Sequence, residues 1–399
     1  MTIASGVFKE LRIKKETTWG VAAGSSGGQI LRRVSSDLDL RKNTYQSQEI
    51  AAHQQVDDFR HGTRRVEGNI NGELSPGTYE LPLAALLRKG WTAGATFTSG
   101  VGSEVTVTGT HTVHRAGGSW LADGFKVGDI VRAAGSVTAA NNARNLRVTA
   151  ITAADLTVAE TLTNVGSGET GVTIAVPGKK LWVPTSGHTR DSFTIEHWYS
   201  DIGKSEQFLG CVPTSANLQL PATGIATIQS AWMGKDMQTG DAAYFGSPAD
   251  ASTTGLTAAV NGSLRLGGSD IATVTGLTIT ITGGHTTGET VGSNTTPDVF
   301  PGRVVVSGQF TCYFEDDTVR GYFIDESEVE LLVKLDVGSA ADTDFLAIHM
   351  GRLKVGGANK DDGEKGLIQT VPFQALLRGT GGAGTAYEKT TISIIDSTL

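Results

Sequence analysis

Apolar and polar positions alternate along residues 63–74, TRRVEGNINGEL, and again along residues 303–314, RVVVSGQFTCYF, 240 positions on. A period of two predicts strands. Val66, Gly68, Ile70, Gly72 and Leu74 share one face of the first. Val306, Gly308, Phe310, Cys312 and Phe314 share the matching face of the second. The opposite faces are polar: Glu67, Asn69, Asn71 and Glu73 in one, Ser307, Gln309 and Thr311 in the other. The preceding loops also match, with Asp58 and Gly62 set against Asp298 and Gly302.

The correspondence continues in both directions and in the same order. Residues 34–40 parallel 277–281, and 192–198 parallel 328–335. Phe208-Leu209 with Leu218–Leu220 parallels Phe345-Leu346 with Leu353–Val355, and 224–232 parallels 366–374. The offset falls to about 136 beyond residue 192, so the first copy carries an insertion of roughly 100 residues that the second lacks.

This pattern predicts a mainly β chain in three parts. Residues 1–92 and 185–237 form a discontinuous first domain, 93–184 an inserted β-domain, 238–257 a polar linker, and 258–399 the second domain. Short strands are expected near 8–13 and over 30–40. Ser75 or Thr78 is expected to cap a helix running to Lys89, with Gly90 as its stop and Leu83, Leu86 and Leu87 as its stripe. A weaker helix is expected over 317–326. The inserted segment reads as about five short strands of a small barrel or sandwich. Residues 41–64 and 283–302 read as long polar loops, a length that usually signals function. The Gly-rich tail ends in a strand, TTISII, suited to its own sheet or to an exposed edge of its own or a neighbouring chain.

Composition agrees with many strands and tight turns: 52 glycines against 10 prolines in 399 residues. The net charge of −8 argues against nucleic-acid binding over the outer surface. That charge is uneven, since residues 238–399 hold 10 Lys and Arg against 20 Asp and Glu. Cys211 and Cys312 cannot make a disulfide framework and read as buried thiols. The opening residues lack an apolar run of signal-peptide length, and no stretch approaches the roughly 20 apolar residues of a membrane helix, so a soluble, cytosol-made chain is expected.

Catalytic chemistry is not legible. No P-loop, GxSxG, HExxH or CxxC motif is present. His111 and His114 lie on opposite faces of an alternating strand, Asp57-Asp58 and Asp361-Asp362 lack calcium-loop spacing, and Asp316-Asp317 reads as turn and cap. Trp182, Trp198 and Trp232 are spread along the chain and read as packing residues. No enzyme, metal or cofactor is expected.

The run ETTWG at 16–20, the RRVEGNINGEL strand with its ELPLAALL helix, then PDVFPGRVVVSG and GLIQTVPFQAL resemble the major tail tube proteins of long-tailed, siphovirus-like bacteriophages. The resemblance covers most of the chain outside 93–184, which is similar to the decorating β-domains of some such proteins. It implies tandem β-sandwich or barrel domains, each with a flanking helix, whose sheets close with their neighbours around a channel that DNA crosses at ejection. It also implies stacked rings, a place in the virion tail after synthesis in the host cytoplasm, and partners among other copies and the tape measure, terminator and distal tail proteins. No membrane partner is implied. The usual ring resembles a hexamer of single-copy subunits, and the duplication here suggests three chains in a pseudo-six-fold ring.

On that reading the channel-face candidates are Glu67, Asn69, Asn71, Glu73, Ser307, Gln309 and Thr311. An acidic bias there would let DNA slide, because Lys and Arg dominate phosphate affinity. The inter-ring candidates are Tyr45, Gln48, Asp58 and Arg60 in the first loop, and Glu289, Asn294 and Asp298 in the second. Two other classes stay open: a baseplate or receptor-binding component using the inserted domain as a ligand platform, and a glycan-active β-rich enzyme, for which no carboxylate spacing speaks.

Overall fold

The structure, a computed structural model, describes residues 3–50 and 52–399. The first copy contributes β1 (Lys9–Lys15), β2 (Asp39–Gln46), β3 (Phe59–Glu73) and α1 (Glu80–Leu87). After the insertion it resumes with β4 (Lys179–Trp182), β5 (Phe193–Tyr199), β6 (Lys204–Pro221) and β7 (Thr227–Gly234). The second copy holds β8 (Val274–Thr282), β9 (Val305–Tyr313), α2 (Thr318–Ile324) and β10 (Glu328–Asp336). It continues with β11 (Phe345–Val355), β12 (Asn359–Lys360), β13 (Ile368–Ala375) and β14 (Ser393–Asp396). The chain is mainly β, in antiparallel sheets that do not close into a barrel.

Eight strands form one antiparallel row, β2–β3–β7–β6–β8–β9–β13–β12. The alternation decides which face is covered. Val66, Ile70 and Leu74 are buried together with Leu218, Ile228, Ile279, Val306, Phe310 and Phe373, in one apolar cluster that runs through both copies. A second layer covers that face. In the first copy it is β1–β5 and the first half of β6. In the second it is Gly262–Leu266, β10, β11 and β14.

Long β6 belongs to both layers. Its start pairs with β5 and its end with β7 and β8. Gly210 supplies the bend at φ 67, where an added Cβ would stand 3.1 Å from Lys235 Cβ and 3.2 Å from Gly20 Cα. The second copy makes the same passage in two pieces, β11 and β12. Trp232 faces Gly68 and Phe373 faces Gly308, while Pro213 faces Trp232 and Val355 faces Phe373. These registers equate Pro213 with Val355 and Asn217 with Asn359. The sequence parallel of Leu218 with Leu353 is therefore displaced by seven residues, because short apolar pairs do not define a register.

The inserted segment has its own eight-stranded sheet, from Thr96–Thr98 to Thr173–Ala175, with the outermost strands Val165–Glu169 and Thr96–Thr98 left unjoined. Five strands were expected, and the three missed, Thr96–Thr98, Thr112–Arg115 and Val165–Glu169, are three to five residues long. Its core, including Trp120, Phe125, Ile130 and Leu156, is continuous with Leu332, Phe345, Ala347 and Ile395. The insertion interrupts the first copy yet packs on the second.

Several local expectations change. Only the middle half of residues 41–64 is a loop: β2 and β3 extend to Gln46 and back from Phe59, and Ser47 N donates to Asp58 O at 2.9 Å. The strand expected over 30–40 is broken into Gln29–Ile30, Ser35–Ser36 and the start of β2. α1 is flanked by Tyr79, not Ser75 or Thr78, whose hydroxyls bond each other at 2.6 Å. It ends at Arg88, in the left-handed region at φ 59, before Gly90. Every residue from Pro82 to Leu87 is buried, as for a helix enclosed on all sides. β14 pairs within its own chain, with β11 on one side and β4 on the other.

Candidate assembly interfaces

Within the eight-strand row the chain makes one edge-to-edge junction between its copies and leaves the equivalent edges open at the ends; in the covering layer β4 and β14 also pair across the copies. At the junction Ser215–Pro221 pair with Gly276–Thr282 in unbroken antiparallel register. Leu218 and Leu220 meet Leu277 and Ile279 on the buried face, and Asn217 Nδ2 donates to Thr280 Oγ1 at 3.3 Å on the other. By register, the counterpart of Ser215–Pro221 is residues 357–363, and that of Gly276–Thr282 is residues 35–41. Among the described residues β12 pairs only with β13, and Ser35–Ser36 and β2 pair only with β3. These open ends carry charge where the junction is uncharged: Lys360, Asp361 and Asp362 at one, Asp37, Arg41 and Lys42 at the other. Charged edges keep an unassembled chain from indiscriminate strand pairing.

The uncovered face of the row is predominantly polar, with Ala231, Met233, Val305 and Pro372 among its few apolar residues. One transverse line runs Asn71, Gln229, Asn217, Thr280, Ser307, Gln374. The next runs Glu73, Thr227, Gln219, Thr278, Gln309, Pro372. All seven channel-face candidates lie here: Glu67, Asn69, Asn71, Glu73, Ser307 and Thr311 half-buried, Gln309 exposed. Arg65, bonded to Glu67, and Arg41 opposite it also lie on this face. The face is thus mostly amide and hydroxyl, less acidic than expected.

The two loop candidates are placed differently. Tyr45, Gln48, Asp58 and Arg60 sit on a projecting hairpin and are exposed, with Arg60 Nε 2.7 Å from Asp58 Oδ2. Tyr45, Ile50, Val56 and Phe59 give this hairpin apolar surface with nothing over it. Residues 283–302 instead lie against the first copy. Asn43 Nδ2 donates to Glu289 Oε1 at 2.5 Å, Arg64 N to Asn294 O at 2.8 Å, and Arg190 Nη2 to Asp298 Oδ2 at 2.9 Å.

Beneath this second loop lies a cavity of about 160 Å³ whose lining includes Trp19, Ala85, Arg88, Arg190, His285, Val299 and Pro301. Arg88 spans it, donating to Gly302 O at 2.8 Å and Gly283 O at 2.7 Å. Burial, then the charges of Arg88 and Arg190, hold His285 down at about 4, so its ring is neutral at pH 7. α1 is thereby clamped between β6 and the second copy. Sequence reasoning missed Arg88 and Arg190, since lone arginines carry no motif. Among the described residues no group of three His, Cys, Asp or Glu is placed to hold a metal, and no helix is long and apolar enough to cross a membrane.

A duplicated β-sandwich with one polar sheet face, open complementary edges and a projecting hairpin defines a protein of repetitive structural assemblies. The family model for phage tail tube proteins matches residues 9–177 and again 168–375, and the chain belongs to that family. Such proteins are structural components of the virion tail and generally not enzymes. No curated protein matches the chain.

Proposed function

We propose that three copies of this chain join end to end, residues 35–41 of each pairing with 357–363 of the next, and close their rows into one pseudo-six-fold barrel. The junction between β6 and β8 carries this reading, because it is the same contact already made once inside the chain. Closure removes the remaining sheet edges. Strand pairing ties 9–93 to 179–240, which supports a discontinuous first domain of about residues 1–92 and 185–237, joined by Lys179–Trp182 from the end of the 93–184 segment, with a linker 238–257 and a second domain 258–399.

The apolar face is covered within the chain, so the polar face is the one free to line a channel. Apart from Arg65, bonded to Glu67, and Arg41 opposite it at one margin, the amide and hydroxyl side chains offer DNA phosphates no fixed cations, which suits a conduit that must release its cargo. The hairpin carrying Tyr45, Gln48, Asp58 and Arg60 extends from the row and makes the contact between stacked rings. Residues 283–302, with Glu289, Asn294 and Asp298, brace the junction of the two copies. The tube so formed conducts DNA at ejection in a long-tailed phage and meets the tape measure, terminator and distal tail proteins at its ends.

Electron microscopy of the concentrated protein, viewed down the axis, tests this. Hollow rings or tubes with three protruding inserted domains are expected. Six protrusions would keep the tube and discard the trimer. Discrete particles without a channel would favour the receptor-binding alternative, with the inserted domain as platform.

A further inference from the structure

The two copies treat their flanking helices oppositely. α1 is enclosed, with Ala85 at 4% and Leu86 at 1% exposure. α2 has no buried residue, and Phe323 and Ile324 are 45% and 67% exposed. The closing bonds of α1, Arg88 N to Ala85 O and Lys89 N to Ala84 O, recur in α2 as Glu326 N to Phe323 O and Ser327 N to Tyr322 O, which sets Phe323 against Ala85 and Ile324 against Leu86. An isolated apolar side chain on a surface needs no explanation, but these two occupy positions that are core in the other copy.

What covers α1 indicates what is missing over α2. Val299 of the second loop, 3% exposed, shares the cavity wall with Ala85 of α1. The 240-residue offset that equates Gly68 with Gly308 equates Val299 with Phe59 at the base of the projecting hairpin. The pairing of Thr287 with Val299 repeats that of Gln46 with Phe59. Phe59 is 55% exposed. Both halves of the contact therefore recur at the open ends of the row, larger and unpaired. α2 also stands at the correct edge, since Lys360 of β12 lies 3.8 Å from Asp317 at its start and over the Phe314 ring.

We propose that α2 is a docking surface for a second copy of this chain: Phe323 and Ile324 pack beneath Phe59 of the neighbour's hairpin, as α1 packs beneath Val299 within the chain. The inference rests on the ring reading and adds the side-chain contact that fixes its handedness. Backbone pairing at charged ends specifies register weakly. An apolar pair beside it admits one register, and α2 of one chain can reach only the hairpin side of the next.

The test is oxidative crosslinking of the full chain carrying Phe59→Cys and Ile324→Cys, with each single substitution as control and microscopy on the same samples. Native Cys211 and Cys312 are buried and should not compete. Covalent dimers and trimers from the double variant alone are expected. Rings without crosslinks would overturn the α2 contact and leave the ring intact. Neither rings nor crosslinks would overturn both. A second variant, Phe323→Asp, alters an exposed side chain and should leave circular dichroism and melting unchanged. It is expected to raise the concentration needed for ring formation at least tenfold, and unchanged assembly would overturn the proposal.

Discussion

Lys180 and Asp129 form a buried ion pair across the joint between the body and the inserted domain, Lys180 on β4 and Asp129 just before the strand Ile130–Ala134. Asp129 also accepts from Lys126 N at 2.9 Å, and Lys126 Nζ donates to Gly382 O and Thr385 O at 2.6 and 2.7 Å. Lys180→Met strands the carboxylate without its partner and is expected to cost about 3–5 kcal/mol. The double change Lys180→Met with Asp129→Asn should recover most of it. Urea unfolding midpoints measure both.

The inserted domain shares its core with Leu332, Phe345, Ala347 and Ile395. Truncating a buried aromatic costs about 3–5 kcal/mol. Phe345→Ala is therefore expected to lower the melting temperature of the inserted domain and the second copy together. Hydrogen exchange would show this as loss of protection at both Val131 and Ile348, and loss confined to one side would contradict a common core.

Deleting residues 47–58, the tip of the projecting hairpin, removes no buried residue among those described. Rings are expected to persist while tubes are lost, because the base that carries Phe59 remains. Sedimentation and microscopy separate rings from tubes.

Replacing Asn217, Thr280 and Gln309 by Arg puts cations on the polar sheet face without touching the core. Assembled tubes of this variant should retain short DNA at low salt and release it as salt rises, whereas the parent retains none. If both behave alike, that face does not line the channel.

His285 titrates near 4 in the folded chain against an ordinary value of 6.5. Above 6.5 the ring is neutral folded or unfolded, and the contribution is whole. Between 6.5 and 4 only the unfolded chain takes up the proton, so stability falls with falling pH through that window. The melting temperature should decline accordingly, and His285→Gln should flatten part of the slope.

The row of strands was readable because its cause is local. Period-two alternation with small residues at Gly68 and Gly308 recurs 240 positions apart, and an added Cβ at Gly308 would stand 2.2 Å from Thr278 O. The polar-face candidates fell on one face for the same reason. The helix was readable from its leucines but not its ends, because Ser75 and Thr78 satisfy each other and Arg88 takes the left-handed turn. The hairpin was read as a loop because its strands expose both faces and carry no apolar period.

The sequence by itself determined the duplication, the alternating sheets, the interruption of the first copy and the absence of recognisable catalytic motifs, since each is written in neighbouring residues. Only the tertiary structure decided that the copies fuse through Ser215–Pro221 and Gly276–Thr282, and that the insertion packs on the copy it does not interrupt. It also decided that α1 is sealed while α2 leaves Phe323 and Ile324 exposed. Those outcomes depend on which distant edges and faces meet, and edge pairing and apolar burial are set by three-dimensional proximity that local periodicity does not encode.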